Sequence, residues 1–245
     1  MRLAVLSDIH ANREAFAAVL EDARARGATG FAILGDIVGY GPDPEWCVDR
    51  AMRLVAEGAL CLRGNHDSAI DAAESLNAQA RAVIDWTRPR LSDAQRGFLA
   101  ALPLTERRGE VLLVHAGAQA PRDWVYVTGP GSAAPSFRAC DARLILCGHV
   151  HVPQLYSCDL RGTVRDHPPR IGEGFPLLGS RRWLAVLGAV GQPRDGVPQA
   201  GYALLDTDRN ELTLRRVAYD AAAVAARLRA EGLPEALAQR LLEGR

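Results

Sequence analysis

The chain has 245 residues, with 29 basic and 29 acidic side chains, so its formal charge is zero and no global field draws it to nucleic acid or an anionic membrane. Every basic residue is arginine, which excludes a lysine nucleophile or Schiff base. Cys47, Cys61, Cys140, Cys147 and Cys158 are odd in number and lack C-x-x-C spacing, so they read as reduced thiols of a cytoplasmic protein rather than a disulfide frame or a thiolate zinc site. The apolar run before Ser7 is too short for a signal peptide, and no stretch approaches the ~18 apolar residues of a membrane span. A single domain, 1–245, is expected at this length.

In chain order, Arg2 to Ser7 reads as a first strand, and Asn12 caps a helix to about Arg26 with Ala15, Val19, Leu20 and Ala23 near helical spacing. A second apolar run from Phe31 ends in Gly35-Asp36 and a glycine-rich loop, Gly39-Tyr40-Gly41-Pro42; Pro44 then opens a helix to about Glu57. Leu60 to Gly64 is a third strand leading into Asn65-His66-Asp67. Residues 75–102 read as helical, with Trp86 and Phe98 as packing anchors and Ser92 as a cap between two helices. A hairpin turn at Arg107-Arg108-Gly109-Glu110 enters the strand that ends at His115, and 117–135 reads as a long loop in which Asp123, Trp124 and Tyr126 either contact substrate or simply pack. After Leu144-Ile145-Leu146-Cys147-Gly148 come His149 and His151. Leu155 to Cys158 begins a further strand region with a loop over 166–176; Trp183–Val190, Tyr202–Asp206 and Leu212–Val217 suit a second, largely antiparallel sheet, and helices over Asp220–Glu231 and Pro234–Leu242 close the chain.

Short apolar runs bounded by glycine are buried strands of a parallel or mixed sheet, and the residues just past their C-terminal ends fall where open α/β sheets keep their sites. Five such runs deliver eight polar donors: Asp8, His10, Asp36, Asn65, His66, His115, His149 and His151, which include five of the six histidines. An extended backbone would turn Asp8 and His10 to one side. Taken singly, Asp8 could cap a helix, His10 could idle in a loop and Asn65 could form a turn; together the donors outnumber any scatter of core histidines. Imidazole, carboxylate and carbonyl oxygen without thiolate suit Mn, Fe, Co, Ni or Zn. Eight donors exceed one centre with an open position, whereas two ions ~3.5–4 Å apart sharing a carboxylate use nearly all of them and would activate a water for attack on a phosphoryl group.

Asp8-Ile9-His10, Gly35-Asp36, Gly64-Asn65-His66-Asp67, His115 and Gly148-His149-Val150-His151 resemble, in order and spacing, the motif blocks of the calcineurin-like metallophosphoesterases, small bacterial and archaeal phosphodiesterases above all. The resemblance implies an α/β, four-layer αββα sandwich of two mixed sheets flanked by helices. It implies two divalent transition-metal ions, Mn foremost with Fe, Ni, Co or Zn as alternatives. One would be held by Asp8, His10, Asp36 and His151, the other by Asp36, Asn65, His115 and His149. His66 would stabilise the transition state or protonate the leaving oxygen as metal-bound hydroxide attacks a small phosphoester or nucleotide.

Gly39-Tyr40 stands where the serine/threonine phosphatases of that family carry Asp-Arg, which argues against protein phosphatase activity. The run Val190 to Gly196 resembles a segment that follows Asn-Pro-Gly-Ser in relatives, here replaced by Leu187-Gly188-Ala189. Asn12, Tyr40 and Arg194 are candidate substrate contacts, and Arg194 could equally serve a structural ion pair. The expected partner is a small phosphoester, with no membrane, no basic stripe or evident aromatic platform for nucleic acid, and self-association left open. The alternative is a catalytically silent scaffold, since the family includes a retromer subunit that uses the fold for protein interaction.

Overall fold

Strands that read as near-continuous apolar runs must be covered on both faces, and the alternation of side chains across them shows by what. A computed structural model describes every residue of the chain except Ala73. The N-terminal half runs β1 (Arg2–Leu6), α1 (Arg13–Ala25), β2 (Gly30–Ile33), α2 (Pro44–Ala56), β3 (Leu60–Cys61), α3 (Asn65–Ser68), α4 (Ala78–Thr87), a 3-10 turn (Arg88–Arg90), α5 (Asp93–Ala101), β4 (Thr105–Arg108) and β5 (Val111–Val114). It continues through α6 (Pro130–Ala139), β6 (Leu144–Cys147), β7 (Gln154–Cys158), β8 (Val164–His167), β9 (Gly174–Pro176), β10 (Arg182–Val186), β11 (Ala200–Asp206), β12 (Glu211–Val217), α7 (Ala221–Ala230) and α8 (Glu235–Glu243).

The strands form two six-stranded mixed sheets, ordered β3-β2-β1-β11-β12-β9 and β4-β5-β6-β10-β7-β8. In the first, Leu3 and Val5 of β1 join Leu113, Leu146, Trp183 and Ala185 of the second sheet in the core between the sheets. Ala4 and Leu6 point the other way, onto Phe16 and Val19 of α1 and Cys47 and Val48 of α2. In the second sheet, Ile145, Leu184 and Val186 face outward onto Ala133 and Phe137 of α6. The result is the expected αββα layering of a calcineurin-like fold, with α7 and α8 packed on α4 through Leu228, Leu237 and Val83.

Three expectations change. The later strands do not build a sheet of their own: β11 pairs antiparallel with β1 and carries β12 and β9 into the first sheet, whereas β10 enters parallel to β6 and carries β7 and β8 into the second. Alternation shows that such a strand is covered on two faces but not which neighbour it joins. The loop expected over 166–176 holds the end of β8 and all of β9. The loop expected over 117–135 ends early, because Pro130 starts α6 at a first-turn position where its missing N–H costs nothing, and Pro135 sits inside that helix.

A charged knot ties α1 to β11. Tyr202 Oη donates to Asp22 Oδ2 at 2.7 Å, and Arg26 Nε donates to the two Asp22 oxygens at 3.0 and 2.9 Å. Burial pushes the Asp22 carboxyl up, but the hydrogen bonds from Arg26 and Tyr202 outweigh it and leave the pKa below its ordinary value. A carboxyl more acidic in the fold than in the unfolded chain contributes stability fully above the unfolded pKa of ~3.9 and loses it as pH falls through the folded value. Asp22→Asn should therefore destabilise the protein by about 1 kcal/mol at neutral pH, with the gap narrowing below about pH 4; urea denaturation of both proteins at the two pH values measures it.

Candidate metal centre

Five loops meet above the C-terminal ends of the strands: Asp8 and His10 follow β1, Asp36 follows β2, Asn65 and His66 open α3 after β3, His115 follows β5, and His149 and His151 follow β6. Main-chain bonds lace them together, with Asp8 N–H donating to Gly35 O at 3.1 Å, His10 N–H to Asp36 O at 2.9 Å, Gly148 N–H to His115 O at 2.8 Å and Gly191 N–H to Asp8 O at 2.8 Å. All eight donors expected from the sequence are buried, and they lie together. They separate into clusters of converging ligand atoms, Asp8 with His10 and His151, and Asp36 with His115 and His149, while His10, Asp36 and His66 also lie within reach of one another.

Hydrogen bonding fixes which nitrogen faces inward. His10 Nδ1 donates to Val38 O at 3.1 Å, His115 Nδ1 to Leu34 O at 3.0 Å and His151 Nδ1 to Gln192 O at 2.6 Å. In the neutral imidazole each Nε2 is then a lone pair. His10 Nε2 and His151 Nε2 lie 3.1 Å apart, lone pair to lone pair. His115 Nε2 sits 3.3 Å from Asn65 Oδ1 and 3.4 Å from Asp36 Oδ2, both acceptors. Asp8 Oδ1, 3.3 Å from His151 Nε2, and His149 Nε2 are buried without a hydrogen-bond partner. Carboxylate oxygens and imidazole nitrogens converging in a buried space in this way fit divalent cations. Asp36 Oδ2 reaches both clusters, at 3.7 Å from His10 Nε2 and 3.4 Å from His115 Nε2.

The electrostatics agree. Burial would lower the His115 pKa, but Asp36 and Asp8 beside it raise it to about 9, so the carboxylates draw positive charge to this point. Burial lowers the pKa of His149 to about 3 and of His66 to about 4, and holds His10 well below its usual value, which keeps these rings neutral. Asp8 stays ionised because His151 and His115 outweigh its burial.

The backbone is bent to make this possible. Of nine non-glycine residues with positive φ among the described residues, eight are Asp8, His10, Ala11, Asp36, Tyr40, Trp124, His149 and His151, all in or beside the site. Asp8 and His10, at φ of 56° and 48°, are left-handed rather than extended, so they converge for a reason other than strand alternation. Glycine is required at Gly64, where a Cβ would strike the Asp36 carboxylate, and at Gly148, where it would strike Ser7 and Asp8.

Asp67, which the sequence offered without a role, holds the Asp36 loop. Its Oδ2 accepts from Asp36 N–H at 2.8 Å and Gly64 N–H at 3.0 Å, and its Oδ1 from Ile37 N–H at 2.9 Å and Val38 N–H at 3.2 Å. Asp36 Oδ1 in turn accepts from His66 N–H at 2.8 Å. The signal was its position one residue past His66, where a short side chain folds back to cap the main-chain N–H groups of a turn.

A cavity of about 280 Å³ opens over the donors, bounded by Tyr40, His66, Glu74, Asp123, Trp124, Tyr126, and Arg194 among others. Tyr40 packs against His10 and His66, and the Arg194 guanidinium lies 5.7 Å from the Tyr40 ring centre, so both expected contacts line the cleft. Asn12 does not: it is 1% exposed, its Oδ1 accepts from Ala15 N–H at 3.1 Å and its Nδ2 donates to Gly191 O at 2.9 Å, so its carboxamide is spent on capping α1 and tying down the 190–192 segment. Glu74, absent from the sequence reading, accepts from Ser68 Oγ at 2.7 Å and Trp124 Nε1 at 3.0 Å and joins two sides of the cleft.

The family model of the calcineurin-like phosphoesterases matches residues 1–153. The chain is 35% identical to an uncharacterized protein of Methanocaldococcus jannaschii, with 99% of this chain and 98% of that protein covered. The crystal structure of a metallophosphoesterase from Sphaerobacter thermophilus matches at a TM-score of 0.88 and 38% identity over 100% of this chain and 99% of that one. A hypothetical protein from Pyrococcus horikoshii shares the fold at a TM-score of 0.77 and 20% identity, over 100% and 98% of the two chains. The chain belongs to the calcineurin-like phosphoesterase family, a family of metal-dependent phosphoric ester hydrolases.

Asp67→Asn would turn one carboxylate oxygen into an N–H₂ facing amide donors. Such a loss should cost about 3 kcal/mol of stability and weaken metal binding through the Asp36 loop; thermal denaturation and metal titration of the variant measure the two effects.

Proposed function

We propose that this protein is a dinuclear-metal-dependent phosphoesterase acting on small phosphodiesters or phosphomonoesters. The observation that carries the reading is the meeting of inward-facing Nε2 atoms and carboxylate oxygens around Asp36 Oδ2, which lies within reach of both donor sets. Asp8, His10, Asp36 and His151 would hold one ion, and Asp36, Asn65, His115 and His149 the other; the donor chemistry suits Mn, Fe, Co, Ni or Zn, and the family resemblance puts Mn first. When bound, such a pair supplies an activated water and a cationic clamp on the phosphoryl group.

The chain's own residues do the rest. Tyr40 and Arg194 form one wall of the cleft beside the donors, and Arg194 offers a fork of N–H groups to a phosphoryl oxygen. His66 shares that floor, within reach of His10 and Asp36, and its Nδ1 is buried without a hydrogen-bond partner; we assign it to proton transfer rather than to a metal. Burial keeps it neutral in the free protein, and the negative charge of a bound phosphoester raises its pKa, so it meets the leaving oxygen as a proton donor. Gly39-Tyr40 in place of an Asp-Arg pair, with Arg194 as the one cation among the described residues lining the cleft, favours small substrates over phosphoproteins. The free cysteines suit a reducing cytoplasm, and no helix among the described residues is long and apolar enough to cross a membrane.

Variants separate metal holding from proton transfer. Asp36→Asn should lose much of both ions, whereas His66→Asn should keep its metal content. His66→Asn should slow an alkyl phosphoester by about 10²–10⁴-fold, the usual worth of a general acid, and a p-nitrophenyl ester much less, because that phenolate leaves without a proton. Elemental analysis and turnover of both variants on both leaving groups decide it. Equal slowing on the two esters would reassign His66 to the phosphoryl oxygens, and a wild-type protein with both ions bound but no turnover would favour the scaffold.

A further inference from the structure

Tyr126 is half exposed, at 50%, although its ring lies 4.1 Å from that of His149 with the planes tilted 33°. The other rings around the cleft are engaged. Tyr40 is 6% exposed, wedged against His10 at 4.7 Å and His66 at 4.5 Å. Trp124 is edge-on to His115 at 5.8 Å and tied by its indole N–H to Glu74. Tyr126 therefore presents the one large open aromatic surface among the described residues lining the cleft, directly beside a donor of the proposed centre.

Charge cannot bind the part of a substrate that lies beyond the phosphoryl group. The described lining carries one cation, Arg194, against the carboxylates of Glu74 and Asp123, and both Glu74 oxygens are already taken by Ser68 and Trp124. A second phosphate there would meet repulsion rather than a partner. The cavity of about 280 Å³ sits at the small end of ligand sites and matches one nucleoside-sized group. What remains to supply affinity is stacking, which an aromatic face offers to any planar base.

Resting on the phosphoesterase reading above, we infer that Tyr126 is the platform for a planar ring in the alcohol part of the substrate, which makes the substrate class nucleoside monophosphate esters rather than sugar phosphates or polyphosphates. The phosphoryl group lies over the donors, and the base covers the open surface of Tyr126. The sequence showed no aromatic platform because the stack is made by a residue of one loop on a histidine of another, 23 positions apart in the chain.

The test compares adenosine 5′-monophosphate with ribose 5-phosphate, which share the phosphate and the primary alcohol and differ by the base. Calorimetric titration of the metal-loaded wild type should give about tenfold tighter binding of the nucleotide. Tyr126→Phe should keep that preference, and Tyr126→Leu, which still covers His149 but offers no π face, should bring the ratio close to one. Because the readout is a ratio, any shared loss of affinity in the leucine variant cancels. A wild-type ratio near one, or a ratio unchanged in Tyr126→Leu, overturns the assignment. Hydrolysis of bis(p-nitrophenyl) phosphate and of p-nitrophenyl phosphate by the same wild-type preparation is scored separately: turnover of either without nucleotide preference rejects the platform and keeps the phosphoesterase, and nucleotide preference with turnover of neither does the reverse.

Discussion

Three main-chain carbonyls decide the character of this centre. Val38, Leu34 and Gln192 accept the Nδ1 protons of His10, His115 and His151, and in doing so they leave each Nε2 without a proton in the neutral ring. Those lone pairs point at one another and at Asp8 and Asp36 in a space closed to solvent. An unpaired buried polar group costs about 1–3 kcal/mol, and several share this space. Cations at the two clusters would remove that cost for the whole set, whereas a proton on His115 meets only Asp36 and Asn65.

The fold supplies the carbonyls and absorbs the strain. Leu34 and Val38 flank Asp36 in the loop after β2, and Gln192 lies beyond β10, so each histidine is oriented by a loop other than its own. His115 from the second sheet leans on the first, and Asp8 from the first accepts the His149 N–H of the second at 2.9 Å. Left-handed backbone at a non-glycine residue costs on the order of 1–3 kcal/mol, and eight such residues gather here. Two sheets with a shared apolar core of Val5, Leu34, Leu146, Trp183 and Leu187 hold the loops rigidly enough for these conformations to persist.

Much of this was legible in the chain. Strands covered on both faces leave apolar runs that stop at glycine and a polar residue, so β1, β2, β5 and β6 and their donors could be read directly. The assignment of β7 to β12 to sheets could not, because pairing between distant strands leaves no local mark. Pro130, Gly131 and Pro135 looked like loop residues and belong to α6, where first-turn proline is tolerated and tertiary packing of Phe137 decides the rest. Asp8 and His10 were placed on one side for the wrong reason, alternation in an extended segment, when left-handed turns bring them together. The roles of Asp67, Glu74 and the Gln192 carbonyl depend on partners 30 or more residues away or on main-chain atoms, which residue types do not announce.

The proposed chemistry depends on the two donor sets holding two ions with Asp36 between them. Anomalous diffraction from crystals of the manganese-loaded protein tests it most directly. Two peaks ~3.5–4 Å apart, one beside Asp8, His10 and His151 and the other beside Asn65, His115 and His149, with an Asp36 oxygen reaching both, are the predicted result. One peak, or a peak ligated by His66 in place of His115 and His149, would contradict it.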